Sequence, residues 1–114
     1  MMETKHVVAL CTVPNAEEGA RIGRAVVEAR LAACVNVVDR LRSIYIWQGE
    51  LCDDPETLLV MKTSQHLVDA LAATIAREHP YDVPEVVALP VVGGHGPYLA
   101  WIDEVVGADS REPE

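Results

Sequence analysis

The sequence is short of basic residues, and this shortage limits the partners that it suits. Nine Lys and Arg residues stand against 18 Asp and Glu, which gives a formal net charge of −9 over 114 residues. A chain with this balance repels a phosphate backbone, so we expect no nucleic acid partner. Cations and basic ligands remain candidates, although an acidic excess also serves solubility.

Long apolar runs and a secretion signal are also missing. No uninterrupted apolar segment approaches the roughly 20 residues that a membrane-spanning helix needs, so we expect no membrane segment. Residues 1–6 are polar and lack the apolar core of a signal peptide, which predicts a cytoplasmic protein.

Cysteine is scarce, so disulfides are not expected to stabilise the fold. Cys11, Cys34 and Cys52 are odd in number and form no CxxC pattern, and without a secretion signal they are expected to be free thiols. A chain of this length predicts one domain, residues 1–114, in which 109–114 form a frayed acidic tail.

Catalytic motifs are absent from the sequence as well. It contains no Ser/His/Asp or HExxH arrangement, and Gly93, Gly94 and Gly96 lack the spacing of a phosphate-binding loop. No nucleophile has an evident base. We therefore expect a protein that is not an enzyme and that uses no organic cofactor.

The apolar patterns that are present predict the order β-α-β-β-α-β, followed by a short C-terminal helix. Asn15 and Ser64 are expected to cap the two main helices, and Pro80 ends the second. Pro90 inside the last strand predicts an edge strand or a bulge. The expected strands are His6–Val13, Cys34–Val38 continued by Ser43–Gln48, Thr57–Lys62 and Val86–Val92, with a turn bracketed by Gly49-Glu50 and Asp53-Asp54-Pro55; the expected helices run from Asn15 to about Leu31, from Ser64 to His79, and onward from Pro97.

This order is the ferredoxin-like split βαβ arrangement, an α/β (α+β) fold in which both main helices cover one face of the sheet. The segment Cys34–Lys62 is expected to form a long hairpin of the second and third strands. On the face that no helix covers, the residues of each strand should be polar, yet the first, third and fourth strands are apolar on both sides. Since nothing else in the chain is large enough to cover that face, we expect self-association through the hairpin.

The segment His79–Glu85 (HPYDVPE) joins the second main helix to the fourth strand and carries the densest set of polar groups. An imidazole, a phenol and two carboxylates lie among seven residues. Pro80 and Pro84 restrict the residues before them, so the segment is expected to be a rigid corner. Loops with fixed geometry on a packed scaffold tend to hold binding groups, although a Pro-rich corner more often only connects two elements.

Cys11 and His79 are the candidate metal ligands. The topology brings the central first strand near the end of the second helix, and a thiolate with an imidazole suits copper or zinc. Glu78 or Glu85 is expected to add oxygen ligands. The alternative is structural, with Cys11 as a small core residue and His79 as a helix cap.

Lys62 and the aromatic residues are the remaining candidates for an interface or a cleft. Lys62 interrupts an apolar strand, so a carboxylate from Glu56, Asp82 or Glu85 is expected to pair with it. The aromatic side chains are all Tyr or Trp, with no Phe, and such amphipathic rings are favoured at interfaces. The residues assigned to an interface or cleft are Tyr45, Trp47, Lys62, Tyr81, Tyr98 and Trp101.

Six blocks of the sequence together resemble the CutA family, the divalent-cation tolerance proteins, from Val7 to about Val105. Their order and intervals make the resemblance specific. The blocks are Cys11-Thr12-Val13-Pro14, Leu31-Ala32-Ala33-Cys34-Val35-Asn36, Ser43-Ile44-Tyr45-Ile46-Trp47-Gln48-Gly49, Lys62-Thr63, His79-Pro80-Tyr81-Asp82-Val83-Pro84-Glu85 and Tyr98-Leu99-Ala100-Trp101.

The resemblance implies a ferredoxin-like subunit, a homotrimer held by the hairpin strands, and binding of copper or similar divalent ions. It places the family's metal-associated cysteine on Cys11 and its histidine on His79, while Glu78 stands where some members have a second histidine. The family is similar in architecture to the trimeric PII signalling proteins, which bind small molecules between subunits. Two functions follow as expectations, namely a trimeric metal-tolerance protein and a PII-like scaffold for a small molecule or an unknown protein partner.

Overall fold

The computed structural model describes residues 5–107, so the predicted acidic tail at 109–114 lies outside the described residues. The order β-α-β-β-α-β with a C-terminal helix is confirmed. The elements are β1 (His6–Val13), α1 (Ala16–Glu28), β2 (Cys34–Trp47), β3 (Glu50–Ser64), a short 3-10 turn (Gln65–Leu67), α2 (Val68–Glu78), β4 (Val87–Pro90) and α3 (Gly96–Val106). None of the helices within 5–107 has both the length and the apolar character that crossing a bilayer requires.

The sheet has the strand order β2-β3-β1-β4, and every neighbouring pair is antiparallel. This is the ferredoxin-like arrangement that the element order predicted. Strand β1 lies inside the sheet and pairs along its whole length with residues Thr57–Ser64 of β3. Strand β4 is an edge strand and ends at Pro90, which agrees with the expectation from that proline.

The core lies between the helices and one face of the sheet. Side chains of β1 alternate strictly between half-buried and buried, so every second residue faces the helices. Both main helices pack on this face, since α1 and α2 share one apolar cluster with β1 and β3. The buried members of this cluster are Ala9, Cys11, Val13, Ile22, Val26, Ala32, Leu59, Met61, Leu71 and Ile75.

The opposite face of the sheet carries apolar side chains that are only half-buried or exposed, as the strand patterns predicted. Val8 and Leu10 of β1 lie on this face and are only half-buried. Their partners on the edge strand, Leu89 and Val87, are 51% and 48% exposed. We call this surface the open face.

The β2–β3 hairpin extends far beyond the rest of the sheet. Because β1 pairs only with residues 57–64 of β3, the part from Leu41 to Glu56 has no third strand beside it. We call this part the arm. It ends in a two-residue turn in which Gln48 (φ 51°) and Gly49 (φ 82°) are both left-handed, the geometry of a tight hairpin turn.

The hairpin differs from the sequence-based prediction in its strand bounds. Strand β2 continues through Asp39 and Arg40 as a bulge, with Arg40 at φ 67°, instead of breaking into two strands. Strand β3 starts at Glu50, so Asp53-Asp54-Pro55 lie within it and do not form a turn. Pro55 is tolerated there because the arm has no strand on its second side.

Helix α1 is shorter than predicted, ending at Glu28 instead of about Leu31. Arg30 is left-handed (φ 62°), and the N–H groups of Arg30 and Leu31 donate to the carbonyls of Val27 and Val26. This pairing is a Schellman motif, which reverses the chain and satisfies the last carbonyls of the helix. Because no glycine occupies the left-handed position, the sequence does not indicate that the helix ends here.

Two further local predictions were wrong. Ser64 precedes the 3-10 turn without donating or accepting a capping bond, and its hydroxyl is buried without a partner among the described residues. Strand β4 covers only Val87–Pro90 of the predicted Val86–Val92. Beyond Pro90 the Val91 N–H still donates to the His6 carbonyl oxygen at 3.0 Å, and Val92 is 92% exposed. Asn15, by contrast, caps α1 as predicted, since its side chain accepts from the Glu18 N–H at 2.8 Å.

Candidate functional site

His79 fixes the start of the His79–Glu85 loop against the end of β1. Its side chain is buried, Nε2 lies 2.8 Å from the Thr12 carbonyl oxygen, and Nδ1 accepts the Tyr81 N–H at 3.1 Å. This arrangement requires the proton on Nε2 and the lone pair on Nδ1. Both ring nitrogens are therefore engaged, and a metal ligand at His79 would first have to break one of these bonds.

Tyr81 ties the same loop to β3. Its ring packs on His79 with 4.6 Å between centroids, and its hydroxyl donates to Glu56 Oε2 at 2.6 Å. Burial first, and the Glu56 carboxylate second, raise the pKa of Tyr81. Glu56 itself is only 7% exposed. At the far end of the loop, Thr12 Oγ1 donates to Glu85 Oε1 over 3.4 Å.

These contacts enclose a cleft of about 600 Å³ between the arm, the end of β1 and the loop. It opens on the side of the open face, because Thr12 and Glu56 belong to that face by strand alternation. Among the described residues, three acids and three aromatic rings line it, and no Lys, Arg or His does. The lining residues are Thr12, Ser43, Ile44, Tyr45, Trp47, Glu56, Tyr81, Asp82, Val83 and Glu85. We call this site the acidic cleft; its charge favours cations.

Cys11 does not face the acidic cleft. It alternates with Thr12 on β1 and points to the helices, fully buried in the core. Burial raises the pKa of the Cys11 thiol to about 12, and the charges of Glu85 and Glu56 act in the same direction. The thiol lies 3.6 Å from the Thr12 carbonyl oxygen, the acceptor that His79 also uses. The two side chains do converge, as predicted, but around a backbone oxygen, with the thiol protonated and not in its ligand form.

Glu78 is turned away from this point and held by α1. Arg21 donates to the Glu78 carboxylate at 2.8 Å and to its carbonyl oxygen, and also to Glu18. Hydrogen bonds to Glu18 first and Glu78 second raise the pKa of Arg21. Cys11, Glu78, His79 and Glu85 thus do not form one ligand set. Within residues 5–107, no group of three or more His, Cys, Asp or Glu side chains is placed to hold one ion. The described part of a single chain therefore does not form a closed metal site.

Lys62 does not pair with any of the three predicted carboxylates. Its ammonium donates to Asn36 Oδ1 at 2.5 Å and approaches Cys34 Sγ at 3.8 Å. The register explains this, because Cys34 lies directly opposite Lys62, whereas Glu56 is six residues further along the same strand. Pairing with a neutral amide avoids the free-energy cost of removing a second charged group from water.

The six residues assigned to an interface or cleft separate into three places. Tyr45, Trp47 and Tyr81 line the acidic cleft, and the Tyr45 hydroxyl donates to Asp54 at 2.7 Å. Lys62 lies on the open face. Tyr98 and Trp101 pack on each other on α3, with ring centroids 5.4 Å apart, and are absent from the cleft lining.

The prediction missed Glu56 and Asp82 as cleft residues and considered them only as partners for Lys62. Strand alternation carried a usable signal for Glu56. It shares a face with Leu58, Val60 and Lys62, so a hairpin in the correct register places it on the open face. Asp82 lies in a loop without periodicity, and no sequence signal predicts its direction.

Comparisons with known proteins agree on one family. The chain matches the family described as "CutA1 divalent ion tolerance protein" over residues 7–105. It is 50% identical to the divalent-cation tolerance protein CutA of Thermus thermophilus over 100 residues, covering 88% of this chain and 97% of that protein. It is 48% identical to human Protein CutA over 97 residues, but these cover only 54% of the human protein.

Solved structures give the same result at the level of the backbone. The crystal structure of CutA1 from Oryza sativa has a TM-score of 0.86 at 43% identity, covering 90% of this chain and 94% of that one. The Thermus thermophilus structure has a TM-score of 0.85 at 49% identity, covering 87% and 96%. The sequence matches and the structural matches therefore lead to one conclusion: the chain belongs to the CutA1 divalent ion tolerance protein family.

Proposed function

We propose that the protein is a homotrimer that binds divalent cations, with copper as the first candidate, and that it serves metal ion tolerance without being an enzyme. The observation that carries the proposal is the acidic cleft, where Glu56, Asp82 and Glu85 line one cavity without a basic side chain. The descriptions of the family and of the Thermus thermophilus relative both concern divalent cations. The cytoplasm remains the proposed location.

Exposed apolar residues of the arm and the open face support self-association. Ile46 and Leu51 face each other across the hairpin and are 72% and 74% exposed, while Val87 and Leu89 continue the apolar surface on β4. Patches of this kind on a folded subunit mark association surfaces. Three copies are the stoichiometry that the family resemblance implies.

A second copy also suits the chemistry of the cleft. Residues 5–107 of one chain supply carboxylate oxygens but no closed set of ligands. We infer that a neighbouring copy adds the missing donors, so that two chains share one ion.

Calorimetric titration with Cu(II) and Zn(II) tests cation binding. We expect the parent protein to bind, Glu85→Gln to lose at least about tenfold in affinity because an anionic ligand is removed, and Glu104→Gln, an exposed acid on α3, to bind like the parent. His79→Ala and Cys11→Ala separate this cleft from the thiol–imidazole pair. If only those two variants lose binding, the ligands lie at β1 and not in the cleft; if neither metal binds the parent, the proposal is wrong.

Light scattering in dilute buffer tests the assembly. We expect a mass near three chains. A stable monomer would contradict both the assembly and the shared cation site.

A second function is supported by the size of the cleft. About 600 Å³ is the volume of a small-molecule site and far more than one metal ion needs. A trimeric scaffold that binds a small molecule between subunits is therefore the alternative, and the lining of the cleft restricts the ligand.

A further inference from the structure

Glu56 is a buried carboxylate without a positive partner. It is 7% exposed, and its hydrogen bond within the described residues comes from the uncharged Tyr81 hydroxyl. No Lys, Arg or His between residues 5 and 107 forms an ion pair with it. A buried charge left in this state is unfavourable unless a cation compensates it. Since Glu56 lines the cleft, that cation can come from a ligand.

Aromatic rings on the arm and the loop give the cleft a second property. Tyr45, Trp47 and Tyr81 line it and are 40%, 46% and 37% exposed, so each ring retains surface that a ligand can cover. Rings of this kind attract ammonium groups through their faces and pack against alkyl chains. A hydrated metal ion makes little use of such walls, whereas an organic cation uses both its charge and its stem.

The acids of the cleft come from different elements. Glu56 belongs to β3, while Asp82 and Glu85 belong to the His79–Glu85 loop. Within residues 5–107, no three His, Cys, Asp or Glu side chains are placed to hold one ion, so a ligand with two or more positive centres separated by methylenes suits the three acids better than a single centre does. Phosphorylated ligands such as nucleotides are disfavoured, because no basic side chain from residues 5–107 lines the cleft.

We propose that the acidic cleft binds an aliphatic polyamine, whose ammonium groups pair with Glu56, Asp82 and Glu85 while its methylene chain lies against Trp47 and Tyr45. This ligand class goes beyond divalent cations and does not depend on metal binding. Binding of a polyamine should depend on the aromatic side chains of the cleft, whereas binding of a metal ion should not.

The test is calorimetric titration of the assembled protein with putrescine and spermidine, with butanediol as an uncharged probe of similar length. We expect both amines to bind, spermidine more tightly because it carries more charge, and butanediol not to bind. Glu56→Gln should weaken amine binding about tenfold, since one charge-assisted contact is lost. Trp47→Leu should weaken it severalfold, because a ring face that attracts ammonium groups is lost.

Glu85→Gln keeps the test decisive if a change at buried Glu56 or at the arm disturbs folding or assembly. Glu85 is exposed, so its amide variant should fold and still lose amine affinity. Glu104→Gln on α3 is the matched control and should bind the amines like the parent. Undetectable amine binding, equal binding of butanediol, or amine affinity unchanged in both Glu56→Gln and Glu85→Gln would overturn the proposal. If the parent protein binds the amines but no metal ion, the polyamine proposal is supported and the metal-binding proposal is contradicted, so the two proposals are tested independently.

Discussion

The two ends of the β2–β3 hairpin have similar apolar residues in opposite environments. At the end beside β1, Leu59 and Met61 of β3 are fully buried under the helices. In the arm, Leu51 of the same strand and Ile46 across from it are more than 70% exposed. The strand pattern alone does not distinguish them. What differs is the presence of a third strand and two helices over one end, whereas the other end would be covered only in the proposed assembly.

The largest expected effect is at the packed end. Leu59→Ala should lower the free energy of unfolding by about 2–5 kcal/mol, since it opens a cavity in a filled core. Urea unfolding followed by circular dichroism measures this. The loss should be the same at every protein concentration, because the cavity lies within one chain.

Leu51→Ala is the matched change in the arm. Its effect should depend on protein concentration, since the side chain is exposed in one chain and becomes buried only by association. Equal, concentration-independent losses for both variants would remove the distinction between the two ends.

A charge on the exposed side of the arm should break the assembly without unfolding the subunit. Ile46→Asp places a carboxylate where we expect an apolar contact, which is unfavourable by several kcal/mol in total. Light scattering should report single chains while the helical circular dichroism persists. Glu50→Gln at the tip of the same arm is the control and should leave the mass unchanged. An assembled Ile46→Asp variant would show that the arm is not the contact.

Alkaline pH should weaken the packed end through Cys11. Its pKa is raised by burial from 9.0 to about 12, so between these values the unfolded chain has lost the thiol proton while the folded chain keeps it. Stability therefore falls as pH rises above about 9, by at most about 1.4 kcal/mol per pH unit for this group. Denaturation at a series of pH values measures the slope. Cys11→Ala should flatten it, and Cys52→Ala, a thiol removed from the arm, is the control. An unchanged slope in Cys11→Ala would contradict the assignment.

The smallest effect should come from the turn at the tip of the arm. Gly49 has φ +82°, a left-handed conformation that a side chain adopts at a cost of about 1 kcal/mol, although nothing lies within 4 Å of an added Cβ. Gly49→Ala should therefore lower the thermal midpoint slightly. Gly93→Ala also meets nothing within 4 Å but lacks a positive φ, so it should be neutral. Equal behaviour of the two variants would mean that the turn tolerates strain.

Local signals predicted the element order well and the element ends poorly. The Asn15 cap and the helix stop before Pro80 were readable because each depends on a few neighbouring residues. The Arg30 reversal and the Arg40 bulge were not, since both use left-handed residues that are not glycine. Such conformations are stabilised by the packing around them, and composition does not record them.

The candidate site shows the same division. The His79–Glu85 loop was identified from its prolines and polar side chains, and Tyr45, Trp47 and Tyr81, which were assigned to an interface or a cleft, line the acidic cleft. The proposed ligand role of Cys11 depended on which side of β1 it faces. Because β1 is apolar at almost every position, periodicity does not reveal that direction.

The sequence by itself determined the fold and the long hairpin, because alternation, caps and prolines act over short distances. Only the tertiary structure decided that Cys11 points into the core while Thr12, Glu56 and Glu85 meet on the other side of the sheet. Strand register and side-chain direction depend on contacts between residues far apart in the chain. A shift by one position would have exchanged the two faces and dismantled the cleft.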